Sequence, residues 1–184
     1  MRLFVGVPLP DDIRQRLAML TGGVPGARWA RPENLHLTLR FLGETDNARA
    51  EDIVSELSRI DCEAFAAVVR GLGAFGDRKR PRILWAGIPP SPPLTRLHQK
   101  VEQALQRAGC GPDHRKFHPH VTLARLKDVQ KVKLERFMTA NGHVESRPFT
   151  VGGFTLFESF LASEGAHYRA IAEFELAGGE EVPA

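Results

Sequence analysis

Cysteine is nearly absent: Cys62 and Cys110 are the only two in 184 residues. Neither has a partner at metal-ligand spacing. So few cysteines argue against a disulfide framework and for a reduced, cytosolic setting. Long apolar runs are missing as well, and none approaches the roughly 20 residues of a membrane span. The opening run Arg2-Leu3-Phe4-Val5-Gly6-Val7-Pro8 is too short, and too soon broken by proline, for a signal peptide. A cytoplasmic protein is expected. There is no strong excess of one charge: 25 basic and 22 acidic residues leave a formal net charge of +3. That balance permits an anionic partner without requiring one. No cluster of carboxylates offers a site for a hard metal ion. At this length roughly 70% of the unfolded chain's surface is buried on folding, so neither a disulfide nor a metal is needed to hold the core.

What is there begins with strands and helices in alternation. Leu3 to Val7 reads as a strand ended by Pro8 and Pro10. Asp11 and Asp12 open a helix over Ile13 to Leu20 that stops at Gly22-Gly23. Ala27 to Ala30 is a short extended piece. Asp46 is placed to cap a helix from Ala48 to Ile60. Phe65 to Val69 and Ile83 to Ile88 read as two strands of one hairpin-like unit. Between them Gly71-Leu72-Gly73-Ala74-Phe75-Gly76 spells G-x-G-x-x-G, but Asp77-Arg78-Lys79-Arg80-Pro81 stands where a dinucleotide site needs a helix. A glycine-rich turn with a basic loop is the better reading. Pro89-Pro90-Ser91-Pro92-Pro93 is a rigid connector near the midpoint of one domain spanning 1–184. Leu94 to Ala108 is an amphipathic helix capped by Gly109, with His98 among its polar positions facing solvent. Val129 to Met138 is weakly helical. Pro148 to Phe160 reads as a strand bulged near Gly152-Gly153, and Tyr168 to Leu176 as the last strand. His114, His143 and His167 fall in loops, and Ala177 to Ala184 reads as a frayed polar tail.

The distinctive feature is a tetrapeptide that occurs twice, His36-Leu37-Thr38-Leu39 and His120-Val121-Thr122-Leu123. Each lies in a run that reads as a buried strand, Leu35 to Leu42 and Phe117 to Leu126. With a side-chain period of two, the His and Thr of each copy share one face and the apolar residues take the other. From the chain's own composition roughly 0.03 copies of His-x-Thr-Leu are expected, so a pair by chance is on the order of one in a thousand. Two such strands side by side gather two imidazoles and two hydroxyls in one pocket. Strict alternation places Arg40 on the face of His36 and turns Arg125 away from that of His120. A zinc site is the rival use of paired histidines. His118 and His120 have suitable spacing, but His36 lacks a second ligand and neither cysteine is placed to join it.

The segments Arg2-Leu3-Phe4-Val5, Asn34 to Gly43 and Phe117 to Arg125 resemble the 2H phosphoesterase superfamily, with its paired HxTx motif. They are most similar to the RNA 2',3'-cyclic phosphodiesterases, also called 2'-5' RNA ligases. The resemblance runs from Arg2 to about Leu176. It implies an α+β, bilobal fold: two antiparallel sheets related by a pseudo-twofold axis, helices on the outside, and the active-site cleft between the lobes. It implies His36 as proton donor and His120 as proton acceptor. Thr38 and Thr122 are implied as phosphate-holding residues, with Arg125 as a further phosphate contact. No metal and no cofactor is expected. The implied partner is RNA with a 2',3'-cyclic phosphate end, tRNA fragments included, or a cyclic nucleotide, met by a monomer with no membrane association. Such a diester needs an activated water on one side of phosphorus and a protonated leaving oxygen on the other. One neutral and one protonated imidazole supply both. End joining through a 2'-5' linkage is the same displacement run backwards. A binding module for RNA ends is the non-catalytic alternative. Phe4 or Phe157 is placed to stack on a base.

Overall fold

The structure is a computed structural model that describes residues 1–179. It is α+β, with four helices and two antiparallel sheets, the class and sheet type expected. The sheets are unequal, one of eight strands and one of two. In the first half lie β1 (Arg2–Pro8), α1 (Asp11–Ala18), β2 (Ala27–Trp29), β3 (His36–Glu44) and α2 (Asn47–Leu57). Then come β4 (Phe65–Ala67), β5 (Leu72–Asp77), β6 (Arg80–Gly87) and α3 (Pro92–Arg107). The second motif strand is β7 (His120–Leu126), followed by α4 (Lys131–Asn141), β8 (Phe149–Val151), β9 (Gly153–Ala162) and β10 (Gly165–Glu175).

The large sheet runs β10-β9-β1-β3-β7-β6-β5, with β2 also against β7. Its two halves meet at β3 and β7, which are joined through the single pairing Leu37–Val121. On one side lies the four-stranded arm β10-β9-β1-β3. On the other lie β5, β6, β7 and β2. Both motif strands therefore stand at the junction. Leu37, Leu39, Val121 and Leu123 point into one continuous core, where they meet Leu94, Leu97, Val101, Ala104 and Leu105 of α3. Ser91 caps α3 by accepting from the Leu94 amide at 3.4 Å, and Asp46 caps α2 by accepting from Arg49 at 2.8 Å.

Four expectations fail, each for a local reason. The glycine run is strand β5, not a turn: it pairs with β6 from Leu72–Ala86 to Asp77–Arg80, and the reversal is Arg78-Lys79. Gly73 is glycine because a Cβ there would lie 2.1 Å from the Trp85 ring. Phe65 to Val69 does not form a hairpin with Ile83 to Ile88. β4 pairs instead with β8, and β6 sits between β5 and β7. Pro148 to Phe160 is two strands in different sheets, divided at Gly152; a Cβ on Gly153 would meet the Phe174 carbonyl at 2.6 Å. The last strand begins at Gly165 and carries His167, which is not in a loop. The start of the tail is anchored, with the Ala177 amide donating to the Cys62 carbonyl at 3.0 Å. Residues 180–184 of that expectation lie outside the described residues.

Candidate active site

The junction of the two arms brings the two motifs together. In each, the imidazole is fixed by a backbone carbonyl two residues earlier. His36 Nδ1–H donates to Asn34 O at 2.6 Å, and His120 Nδ1–H donates to His118 O at 2.6 Å. Binding the proton at Nδ1 leaves each Nε2 lone pair for chemistry. Thr38 Oγ1 lies 2.9 Å from His36 Nε2; with the ring neutral, the hydroxyl donates. Thr122 sits opposite Trp85 on the face of His120.

The rings lie in aromatic walls. His36 has Phe4 at 4.8 Å and Tyr168 at 5.3 Å between ring centres. His120 has Phe75 at 4.8 Å edge-on, and Trp85 packs on His118 at 4.9 Å. Burial pushes the His36 imidazole down to about 4; the bond to Asn34 opposes this, and the charge of His120 adds to it. The His120 ring is therefore close enough for its charge to reach His36. Burial also lowers His120, with the His118 bond opposing and the His118 charge adding. Both are neutral at pH 7 in the free protein.

A bulge just after each Thr sets where the next side chains point. In β3 the register passes from Thr38 opposite Gly6 to Arg40 opposite Val5, so Leu39 is an extra residue. In β7 it passes from Thr122 opposite Trp85 to Ala124 opposite Leu84, so Leu123 is extra. The same position, three after the histidine, is bulged in both strands. A bulge resets the alternation. Residues three and four past the histidine both turn inward, and the fifth returns to the cleft. That residue is Phe41 in β3 and Arg125 in β7. The strand ladder thus delivers Arg125 to the face of His120 and Thr122, where its charge reaches the Tyr168 hydroxyl.

The pattern of the family described as LigT like Phosphoesterase matches residues 7–85 and 87–168. The chain belongs to the LigT-like phosphoesterase family. A protein of Aeropyrum pernix named RNA 2',3'-cyclic phosphodiesterase is 36% identical over 92% of this chain and 97% of its own. Another of that name, from Archaeoglobus fulgidus, is 34% identical over 95% of this chain and 100% of its own. The crystal structure of E. coli LigT complexed with 3'-AMP superposes with a TM-score of 0.77 at 26% identity, covering 96% of this chain and 98% of that one.

In this LigT-like phosphoesterase Arg40 is not a cleft residue, contrary to simple alternation. The Leu39 bulge sends it to the helical face. There it makes two 2.8 Å bonds to Glu102 of α3 and donates to Gly111 O at 2.7 Å. The arginine therefore ties the first motif strand to the segment that leads into the second. His98 belongs beside that network and is not solvent-facing: its ring stacks on Phe117 with centres 3.9 Å apart and planes nearly parallel. Phe4 is 2% exposed and boxed in by Phe157, Phe41 and Tyr168, so it supports His36 and offers no platform to a base. Pro119 breaks the strand, and His118 stands exposed at the rim against Phe75 and Trp85. Among the described residues no three His, Cys, Asp or Glu side chains gather as a metal cage requires, and no helix is long and apolar enough to cross a membrane.

Sequence reasoning missed Tyr168, Phe75 and Trp85. Tyr168 lies more than 100 residues from His36 and carries no local signal. Trp85 had one: a large aromatic needs a gap opposite it, and Gly73 supplies that gap.

Proposed function

We propose that this phosphoesterase opens 2',3'-cyclic phosphate ends of RNA to 2'-phosphomonoesters, without a metal or cofactor, as a cytoplasmic monomer whose two arms are pseudo-symmetric halves of one domain. The single observation that carries this reading is the convergence of two carbonyl-anchored imidazoles, one from each motif strand, each with a motif threonine on the same face. The names of the relatives support it. His120 Nε2 takes a proton from water as the water oxygen attacks phosphorus. The P–O3' bond breaks in line, and His36 Nε2–H delivers its proton to the departing 3' oxygen. Thr38, Thr122 and Arg125 hold the non-bridging oxygens as charge builds on them.

His36 must be protonated for that role. A phosphate anion about 4 Å away, at an effective dielectric of about 20, stabilises the imidazolium by about 4 kcal/mol, or about 3 pH units. Bound substrate thus returns His36 from about 4 to near neutrality, so the acid is armed only when its substrate is present. Protonation also ends the Thr38 hydroxyl's bond to Nε2, because that nitrogen no longer has a lone pair; the hydroxyl hydrogen turns to phosphate and Nε2–H to the 3' oxygen. Hydrolysis is preferred over 2'-5' end joining because water is the abundant nucleophile.

The test is incubation with an oligonucleotide ending in a 2',3'-cyclic phosphate, with EDTA present, and a readout of where the phosphate remains. A 2'-phosphate product, with most turnover lost in His36→Ala and in His120→Ala, is the expected result. Full activity in either variant, or activity abolished by the chelator, overturns the mechanism.

A further inference from the structure

The cleft carries a second cation that the proposed chemistry does not use. On β2, Arg28 is the direct cross-strand partner of Arg125 on β7. Directly opposed residues of an antiparallel pair share a face, so Arg28 projects on the side to which the Leu123 bulge returns Arg125. Its neighbour Trp29 turns the other way and packs on Phe137 of α4, with ring centres 5.5 Å apart. Arg28 and Arg125 are both exposed. Neither has a hydrogen bond or ion pair within the protein among the described residues, whereas Arg31, Arg40, Arg49 and Arg147 all do. Like charges placed directly opposite destabilise a sheet. An uncompensated pair beside an anion-handling site is the arrangement that a polyanion relieves.

We propose that Arg28 forms a second phosphate subsite, which receives the internucleotide phosphate next to the reacting one. The protein is thereby built for an RNA strand and not for a lone cyclic nucleotide. The inference rests on the proposed phosphodiesterase reading and names its substrate class. β2 lies one strand spacing, about 4.8 Å, from β7. A strand whose terminal phosphate is held by His36, His120 and Arg125 therefore passes over Arg28 as it leaves the cleft. A mononucleotide has no phosphate to place there.

The experiment compares kcat/KM on a 2',3'-cyclic mononucleotide and on a trinucleotide with the same 2',3'-cyclic end, for the native protein, Arg28→Ala and Arg28→Lys. Arg28→Ala is expected to lose about tenfold on the trinucleotide, the size of one charge-assisted contact, and nothing on the mononucleotide. The slope of log kcat/KM against log salt on the trinucleotide should fall by about 0.7, the share of one single-strand phosphate contact. Arg28→Lys should retain that slope. Equal losses on the two substrates, or no loss on the trinucleotide, overturn the subsite. Failure of the native protein to open either substrate instead removes the phosphodiesterase reading, and the subsite with it.

Discussion

The depressed proton affinity of His36 links the site to the stability of the whole fold, and His36→Gln isolates that link. Burial holds the folded-state ring at about 4, against 6.5 for an exposed histidine, a gap of 6.5 − 4 = 2.5 pH units. The unfolded chain therefore binds this proton first as the solution is acidified. Above pH 6.5 both states are neutral and the full stability is present; it drains away as pH falls from 6.5 toward 4. At pH 4.5 the loss from this residue alone is about 2–3 kcal/mol, a large part of a typical 5–15 kcal/mol total. Glutamine keeps an amide that can donate near Asn34 O but does not titrate. Urea unfolding of the native protein and of His36→Gln at pH 7.5 and 4.5 gives four free energies. The carboxylates common to both proteins cancel in the double difference. The native protein should lose about 2–3 kcal/mol more than the variant between the two pH values, and added inorganic phosphate should shrink that excess. Identical pH dependence in the two proteins would refute the claim that the fold holds His36 neutral.

The rate of cyclic-phosphate opening should trace a bell between pH 5 and 8, from one protonated and one neutral imidazole; a flat profile counts against paired acid and base. Gly73→Ala drives a methyl into the Trp85 ring. It should cost about 1–3 kcal/mol of stability, typical of overpacking, and shift the tryptophan fluorescence, with turnover reduced because Trp85 lines the site beside Thr122. Arg40→Ala strands the Glu102 carboxylate, whose side chain is only 15% exposed. A loss of about 3–5 kcal/mol in denaturant titration is expected, with KM of the surviving folded protein little changed. Arg125→Ala, by contrast, should raise the melting temperature slightly by relieving the opposed Arg28 charge and lower kcat/KM about tenfold, the weight of one charged contact to phosphate.

Which motif residues meet was more legible than the geometry that delivers them. His36, Thr38, His120 and Thr122 could be placed on one face by period-two alternation because the His and Thr of each motif both precede the bulge. Beyond Leu39 and Leu123 the alternation misleads, since nothing in a run of strand-forming residues marks the extra one. For this reason Arg40 reads as a cleft residue and Arg125 as its opposite, and the folded chain reverses both. Gly73 reads as turn material because glycine weakens strands in general; here the deciding partner is Trp85, twelve positions away. The pairing of Phe65–Ala67 with Phe149–Val151 has a sequence separation that local patterning does not reach. His98 looks polar on a helical wheel because the ring that covers it, Phe117, belongs to another segment.

A pocket assembled from two matching strands has no inherent sense of direction. With the same imidazole, the same hydroxyl and the same irregularity on both sides, a small diester could sit either way round, and acid and base would trade places. The fifth residue past each histidine removes that ambiguity, because the returning side chain is Phe41 on one strand and Arg125 on the other. The greasy flank and the cationic flank give the groove a polarity. On the proposed chemistry, a substrate with a base at one end and an anionic backbone at the other would take one orientation, and the proton would be handed across in one sense.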